Sequence, residues 1–537
     1  MEQTQFDLAR DAIAQGKAAM GMEFGSTRIK AVLVDEDSRP LAVGTYDWEN
    51  SYVDGHWTYA EDEIWAGLAG CYESLKEDVR ARYGVRLTRL AGLGVSAMMH
   101  GYLAFDAQGR LLVPFRTWRD TTTTQAAHEL TRAFGFHIPE RWSVSHLYQA
   151  ILDGEEHVGQ VAELETLAGM VHWRLTGRRV LSVGDASGMF PIDSATGTYD
   201  ERMAQEFDRL AAEHGADVSI VDLLPGVLKA GEVAGHLTDE GARLLDPTGE
   251  LESGCPVCPP EGDAGTGMIA TDSVAPRTGN VSAGTSVFSM VVLERPLKDA
   301  TVPEIDLVTT PVGDAVAMVH CNSCTSDINA WVSLFRSFAQ SIGHEVGEGE
   351  AFTRLFELAL EGESDGGGIV SVPFVSGETV MGVSVGHPLL VRMPDAHLTL
   401  ENFMRASIMS AFGALAAGNV ALRREGVAID RLYAHGGIFK TPKVAQRILA
   451  AALEAPVTVM DTASEGGAWG QAVAVNYMLH KEDGQGLADY LDSEVFGEVG
   501  QSTIEPDPAD VEGFRAYLAR FRAANEAELA CERAFGA

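Results

Sequence analysis

An aspartate set among glycines is the residue of this chain best placed to move a proton. Gly262-Asp263-Ala264-Gly265-Thr266-Gly267 follows a proline-rich approach, Cys255-Pro256-Val257-Cys258-Pro259-Pro260, and leads into an apolar helical start at Met268. Asp263 there either caps a helix or stands as a carboxylate beside a phosphate loop, where it accepts a proton from a hydroxyl nucleophile. Two hairpin turns have the residues to hold phosphate, Gly25-Ser26-Thr27 and Gly284-Thr285-Ser286. Glycine lets a backbone approach closely, turn N–H groups bind anions, and the hydroxyls add donors. A third glycine site, His435-Gly436-Gly437, ends a strand and opens a helix near Thr441-Pro442. It reads as a plain tight turn or as a flat surface for a nucleotide. No G-x-G-x-x-G follows a strand and no G-x-x-x-x-G-K-S/T occurs, so Rossmann dehydrogenases and P-loop kinases fit poorly.

These turns need strands and helices to hold them. Met20 to Asp35 reads as strand, Gly-Ser-Thr turn, strand, and Leu41 to Trp48 continues as a third strand. Glu61 to Tyr83 puts Ile64, Leu68, Cys71 and Leu75 on one face of a helix, and Leu90 to Met98 is a buried strand running into His100. That is the opening of an α/β domain. Gly279 to Val292 repeats the strand–turn–strand pattern. The repeat points to a duplication at domain scale, or to two instances of a hairpin common in α/β chains. A domain boundary is expected near Ser273 to Pro276. Met1 to Lys17 reads as a short helix, and Asp510 to Phe535 as a terminal one with Phe514, Leu518 and Phe521 on one stripe.

Composition bounds the function. The 537 residues are 46% hydrophobic and 22% charged, an ordinary globular balance. A net charge of −37 disfavours nucleic acid and membrane surfaces as partners, although a local pocket can still take a small anion. No apolar run is long enough to span a bilayer, and Met1 to Met20 does not resemble a signal peptide. Six cysteines are too few for a disulfide scaffold, so a cytoplasmic location is expected. Cys255-x-x-Cys258 and Cys321-x-x-Cys324 have the half-site spacing of zinc modules, but their separation favours plain buried thiols.

The order of these motifs resembles the FGGY family of carbohydrate kinases, within the fold shared by actin, hexokinase and the heat-shock ATPases. Gly21 to Lys30 is similar to the family's first phosphate loop, with Glu23 where the family has aspartate. Gly262-Asp263 resembles the loop of the catalytic aspartate, Val281 to Ser286 the second phosphate loop, and His435-Gly436-Gly437 with Thr441-Pro442 the adenosine motif. Pro373 to Glu378, Asn402-Phe403 with Ala406-Ser407, and Glu465 to Ala472 resemble three further family segments. Val95 to Gly101 is similar to the sugar-binding segment of xylulokinases, and Trp118-Arg119-Asp120 to their Trp-Asn-Asp. Ala97-Met98 and Arg119 depart from that pattern, and gluconate kinases carry a similar Ser-Ala-x-Met-His stretch.

The resemblance implies two ribonuclease-H-like α/β domains closing on a central cleft. Their expected extents are 20–273 for sugar and 274–485 for nucleotide, with an N-terminal extension 1–19 and a C-terminal helical tail 486–537. It implies ATP and Mg²⁺, transfer of the γ-phosphoryl to a ketopentose, D-xylulose first, and a possible homodimer. Asp263 would be the base, with Glu23 near magnesium-bound water rather than ligating the metal. Met99, His100, Trp118 and Asp120 would contact the sugar. Ser26, Thr27, Gly284, Thr285, Ser286, Gly436 and Gly437 would bind the nucleotide. Gluconate, L-ribulose and other polyols remain alternatives, as does an actin-like nucleotide switch with no sugar substrate.

Overall fold

In the computed structural model, residues 3–460, 466–497 and 499–536 are described. The chain forms two compact units. The first comprises Met1–Val274, Leu307–Val316 and Ser464–Glu498, and the second Ala275–Asp306, Ala317–Ala463 and Val499–Ala537.

The first unit is built on α1 (Gln3–Ala14), β1 (Ala19–Phe24), β2 (Arg28–Val34), β3 (Pro40–Asp47), α2 (Glu61–Tyr83) and β4 (Gly92–Ala97). Further along the chain it adds α3 (Ser143–Asp153), β5 (Gly235–His236), β6 (Pro256–Val257), β7 (Glu261–Gly262) and α4 (Asp263–Ile269). The sheet order is β5-β6-β4-β1-β2-β3, with β7 also paired to β4. β1 runs antiparallel to β2 and parallel to β4. α2 is helical for reasons visible in its sequence. Acidic Glu61, Asp62 and Glu63 fill its first turn, Arg80 and Arg82 its last, and Gly84 caps it at φ 68°. Its apolar stripe of Ile64, Leu68, Tyr72, Leu75 and Val79 is buried.

The second unit repeats the plan with β8 (Thr278–Ala283), β9 (Val287–Val292), β10 (Asp306–Thr309) and β11 (Ala315–Cys321), of which Leu307–Thr309 and Ala315–Val316 are counted with the first unit, then α5 (Ser326–Ser341), β12 (Arg431–His435), α6 (Val444–Leu453) and β13 (Val457–Met460). Its sheet order is β10-β11-β9-β8-β12-β13 and then β14 (Gln501–Ile504). β8 is antiparallel to β9 and parallel to β12, as β1 is to β2 and β4. The shared topology favours duplication over coincidence.

Three expectations differ from what is observed. The extension 1–19 is part of the first unit, because Ala9 and Ile13 of α1 are buried in its core and β1 begins at Ala19. The units are not contiguous at 274–485. α7 (Gly466–His480) belongs to the first unit, where it lies flat on β1. Gly21 permits this, since a Cβ there would lie 2.2 Å from the Ala468 carbonyl and 2.3 Å from the Ala472 nitrogen. The tail is not purely helical: β14 pairs antiparallel with β13 before α8 (Pro508–Phe535) begins behind its Asp507 cap. Glu465 lies outside the described residues. Among those described, no helix is long and apolar enough to cross a membrane.

Candidate active site

Parallel strands place their carboxyl ends on one edge, where ligands of open α/β sheets bind. Glu23 of β1 sits opposite Ser96 of β4, and Glu261 of β7 also pairs with Ser96. The chain leaving β4 is Met98-Met99-His100, and the chain leaving β7 enters α4 at Asp263. The helix therefore starts at Asp263 itself rather than at Met268. The Met99 N–H donates to Asp263 Oδ1 at 3.2 Å, and the Ala264 N–H to the same oxygen at 3.0 Å. Surrounding protein raises the Asp263 carboxyl above its ordinary value, opposed by those two N–H groups and by Arg141. The residue keeps solvent access, which tempers that rise. Gly262 is the N-cap and makes no side-chain bond, and Asp263 stands one position inside the helix.

Glu23 is half-buried. Burial and the nearby Asp263 raise it to about 7, against the Ala468 N–H and Lys30. Ala468 lies at the N-terminus of α7, so the carboxylate rests on the positive end of a helix. Gly467 makes room for it: a Cβ there would lie 2.3 Å from Glu23 Oε1. The extra methylene of glutamate over aspartate thus has a structural use, reaching the helix that Gly21 admits.

The Gly25-Ser26-Thr27 turn is tied down by aromatic donors. Trp48 Nε1 donates to the Gly25 carbonyl at 2.7 Å and the Tyr59 hydroxyl to the Ser26 carbonyl at 2.6 Å. Trp118 Nε1 donates to Ser26 Oγ at 3.2 Å. Trp118 therefore supports the turn, a link the sequence did not reveal. Thr27 is exposed.

His100 is buried in the left-handed region at φ 69°. Its Nδ1 donates to the Gly188 carbonyl at 3.2 Å, which fixes the ring, and the ring stacks on Trp142 with centroids 6.3 Å apart. Met99 is buried beside it. Asp120 is 2% exposed and well engaged. Thr122 supplies its N–H (2.9 Å) and hydroxyl (2.7 Å) to Oδ1, and His56 Nδ1 lies 2.5 Å from Oδ2. Burial raises the Asp120 carboxyl, but the Thr122 bonds, the nearby His146 and the His56 bond outweigh it and hold the group below its ordinary value. A carboxylate offers about four acceptor places, so one is left. His56 is a residue that sequence reasoning missed. Arg119, the departure from asparagine, is exposed and lies 4.0 Å above the Trp57 ring.

In the second unit the two glycine turns read from the sequence as nucleotide motifs lie side by side. β8 and β12 are paired through Ser282 and His435, so the Gly284-Thr285-Ser286 turn and Gly436-Gly437 leave the sheet side by side. Gly436 has φ 120°, and a Cβ on it would lie 2.0 Å from the Ala283 carbonyl, so only glycine fits. Gly284, Thr285, Gly436 and Gly437 are exposed and Ser286 is half-buried. The loop after β11 backs the turn. Cys324 N–H donates to the Thr285 carbonyl (2.8 Å), and the Thr325 hydroxyl to that of Gly284 (2.8 Å). Cys324 thus supports a loop from within, and burial pushes its thiol up to about 12. Among the described residues no group of three metal-ligating side chains is found. A small cavity bounded by Ser182, Cys258, Glu261 and Gln471 shares no residue with the Asp263, Met99 and His100 cluster.

Comparison with known proteins agrees with this fold. The model of the FGGY family of carbohydrate kinases, N-terminal domain, matches residues 18–267, and that of its C-terminal domain matches 279–479. A glycerol kinase of Thermococcus kodakarensis is 24% identical over 294 residues, 51% of this chain and 53% of the relative. A xylulose kinase of Haemophilus influenzae is 22% identical over 365 residues, 64% of this chain and 67% of the relative. The chain thus spans about half the length of the glycerol kinases it matches. The crystal structure of a gluconate kinase from Lactobacillus acidophilus has a TM-score of 0.77 at 16% identity, covering 97% of this chain and 99% of that one.

Proposed function

The chain belongs to the FGGY family of carbohydrate kinases, and from that premise we propose that it transfers the γ-phosphoryl of ATP to a hydroxyl of a ketopentose, D-xylulose first. The observation that carries this reading is the 3.2 Å bond from the Met99 N–H to Asp263 Oδ1. It joins the proton acceptor to the Met-His segment that would grip the sugar, so the hydroxyl and its base share one frame. Both backbone bonds fall on Oδ1, and Oδ2 is the oxygen that meets the attacking hydroxyl. Positioning does most of the catalytic work in such transfers, and the base completes it by taking the proton.

The donor chemistry suits magnesium. Asp263 raises the cost of ionising Glu23, a conflict that a divalent cation relieves. Glu23 and Asp263 would hold the ion through water, and it would neutralise charge on the phosphates. The Gly284-Thr285-Ser286 turn and Gly436-Gly437, with Ser26 and Thr27, would bind the nucleotide.

A second reading is favoured by one observation. Arg141 acts electrostatically on Asp263, and a fixed cation beside the acceptor suits an acidic sugar such as gluconate. An ADP-release assay over D-xylulose, L-xylulose, D- and L-ribulose, gluconate and glycerol separates these. D-Xylulose is expected to have the highest kcat/KM. A gluconate preference overturns the ketopentose assignment, and turnover of ATP indifferent to every polyol overturns the kinase reading in favour of a nucleotide switch.

A further inference from the structure

One buried carboxyl in the first unit ties two loops of the site together. Glu261 of β7 is 2% exposed and stands two residues before Asp263. Its Oε1 accepts the Gly262 N–H at 2.8 Å, and its Oε2 accepts the Ser182 hydroxyl at 2.5 Å. The Asp185 N–H donates to the same carboxyl. Two glycines make room for it. A Cβ on Gly265, in the first turn of α4, would lie 2.6 Å from Glu261 Cδ, and one on Gly184 would lie 2.6 Å from Glu261 Oε2. At both positions the nearest atoms all belong to Glu261, and neither glycine has a positive φ. The backbone conformation therefore does not call for glycine at 184 or 265, whereas the carboxyl between them does.

The bonds on either side of Glu261 close into a ring. On one side Gly262 leads to Asp263, whose Oδ1 accepts the Met99 N–H at 3.2 Å. On the other, the Asp185 carbonyl accepts the Gly188 N–H at 3.0 Å, and the Gly188 carbonyl accepts from His100 Nδ1 at 3.2 Å. Met99 and His100 are neighbours in the chain, so the ring is complete. We propose that Glu261 is a positioning residue for the phosphoryl transfer, closing this ring and so fixing the Asp263 carboxylate relative to His100. This inference rests on the sugar-kinase reading. Glu261 acts only through its neighbours, since it lies buried behind Gly262. Placement is where such a residue counts, because about 1 Å of displacement at a reacting group can cost on the order of 10²-fold in rate. The turns at Gly284 and Gly436 belong to the second unit and contribute no bond to the ring.

The test uses the full-length enzyme with Glu261→Ala, Glu261→Gln, Gly265→Ala and the double variant Glu261→Ala/Gly265→Ala, assayed by ADP release on the best sugar, with melting temperatures alongside. Glu261→Ala is expected to lower kcat about tenfold or more, with the KM for ATP and for the sugar within about threefold of the parent's. Glu261→Gln keeps an oxygen for the Gly262 N–H and an amide that donates to Ser182 Oγ, and should recover most of that loss. Gly265→Ala pushes the carboxyl aside and should lower kcat in the parent, yet change it less than about twofold once residue 261 is alanine. A kcat for Glu261→Ala within about twofold of the parent's overturns the inference, even where the melting temperature falls, since that marks a purely structural residue. It is overturned equally by a loss that glutamine does not recover, or by losses that simply multiply in the double variant. Should Glu261→Ala not fold, the other single variants decide. Slow Gly265→Ala beside near-normal Glu261→Gln supports the inference, and a kcat for Gly265→Ala within about twofold of the parent's overturns it. A parent inactive on all sugars overturns both this inference and the kinase reading, whereas an active parent with unaffected variants overturns this one alone.

Discussion

At the scale of single residues, Asp263, the proposed proton acceptor, and its neighbour Glu23 both work as carboxylates, and burial raises both. Asp263→Asn should lower kcat by about 10²–10⁴ while nucleotide binding stays near the parent's, since only the base is lost. A kcat within a few-fold of the parent would show that Asp263 moves no proton. Glu23 is raised to about 7, so its charge is lost as the pH falls through neutrality. If that charge organises the metal, the kcat profile of the parent has an acidic limb near pH 7. Glu23→Gln should be slow and flat there, and Glu23→Asp impaired because it falls short of the Ala468 N–H. An identical limb in Glu23→Gln would assign the ionisation to another group. Glu23 and Asp263 were legible in the sequence because glycines mark them on both sides. Trp118 and Asp120 were legible as types but not in their bonding. The partners Ser26 and His56 lie 92 and 64 positions away, and no local pattern announces a hydrogen bond over that distance.

At the scale of elements, hairpins and α2 followed from turn chemistry and periodicity, which are local. The membership of α7 did not. Its residues are buried on nearly every side, so periodicity cannot say which sheet it covers. The answer lies in Gly21, where a strand lets a helix approach more closely than a side chain allows. Gly21→Ala should therefore be far costlier than its single methyl suggests. Backbone atoms of α7 at 2.2 and 2.3 Å cannot move aside as a side chain would, so about 3 kcal/mol of lost stability is expected from overpacking. Because α7 also carries the N–H that Glu23 accepts, kcat should fall with stability. Gly159→Ala is the control: nothing lies within 4 Å of its added methyl, and its unfolding free energy in urea should match the parent's within about 0.5 kcal/mol. Equal unfolding free energies for both variants would refute the close-packing account of α7.

At the scale of the molecule, an acidic chain has buried some of its acids. Burial raises Glu165 and Glu261 to about 8, and Asp185 and Glu378 to about 7. Their partners are few: Arg179 at 3.0 Å from Glu165, Ser182 at 2.5 Å from Glu261, Thr166 at 2.6 Å from Asp185 and the Ser323 N–H at 3.2 Å from Glu378. A carboxyl whose folded pKa exceeds its unfolded value binds more protons when folded. Stability then falls as the pH climbs from the unfolded value through the folded one. The window here runs from about 4.5 to 8. Asp120 and Glu155 are lowered and act the other way, but their contribution is lost only below their ordinary values near pH 4. The protein should accordingly be most stable at mildly acidic pH and weaken through neutrality. One independent group with a folded pKa near 8 costs on the order of 2–3 kcal/mol between pH 6 and 8.5. Glu261 and Asp185 titrate together, so the whole effect is less than a sum over groups. Each proton released also adds to the charge of −37, which self-repulsion makes costlier still. Melting followed by circular dichroism in 0.5 M salt should show a fall of several degrees from pH 6 to 8.5. Glu165→Gln, which keeps the shape and removes the ionisation, should flatten part of that slope. A melting temperature that holds or rises over this interval would mean that these carboxyls are ionised in the folded protein, and that burial has not raised them.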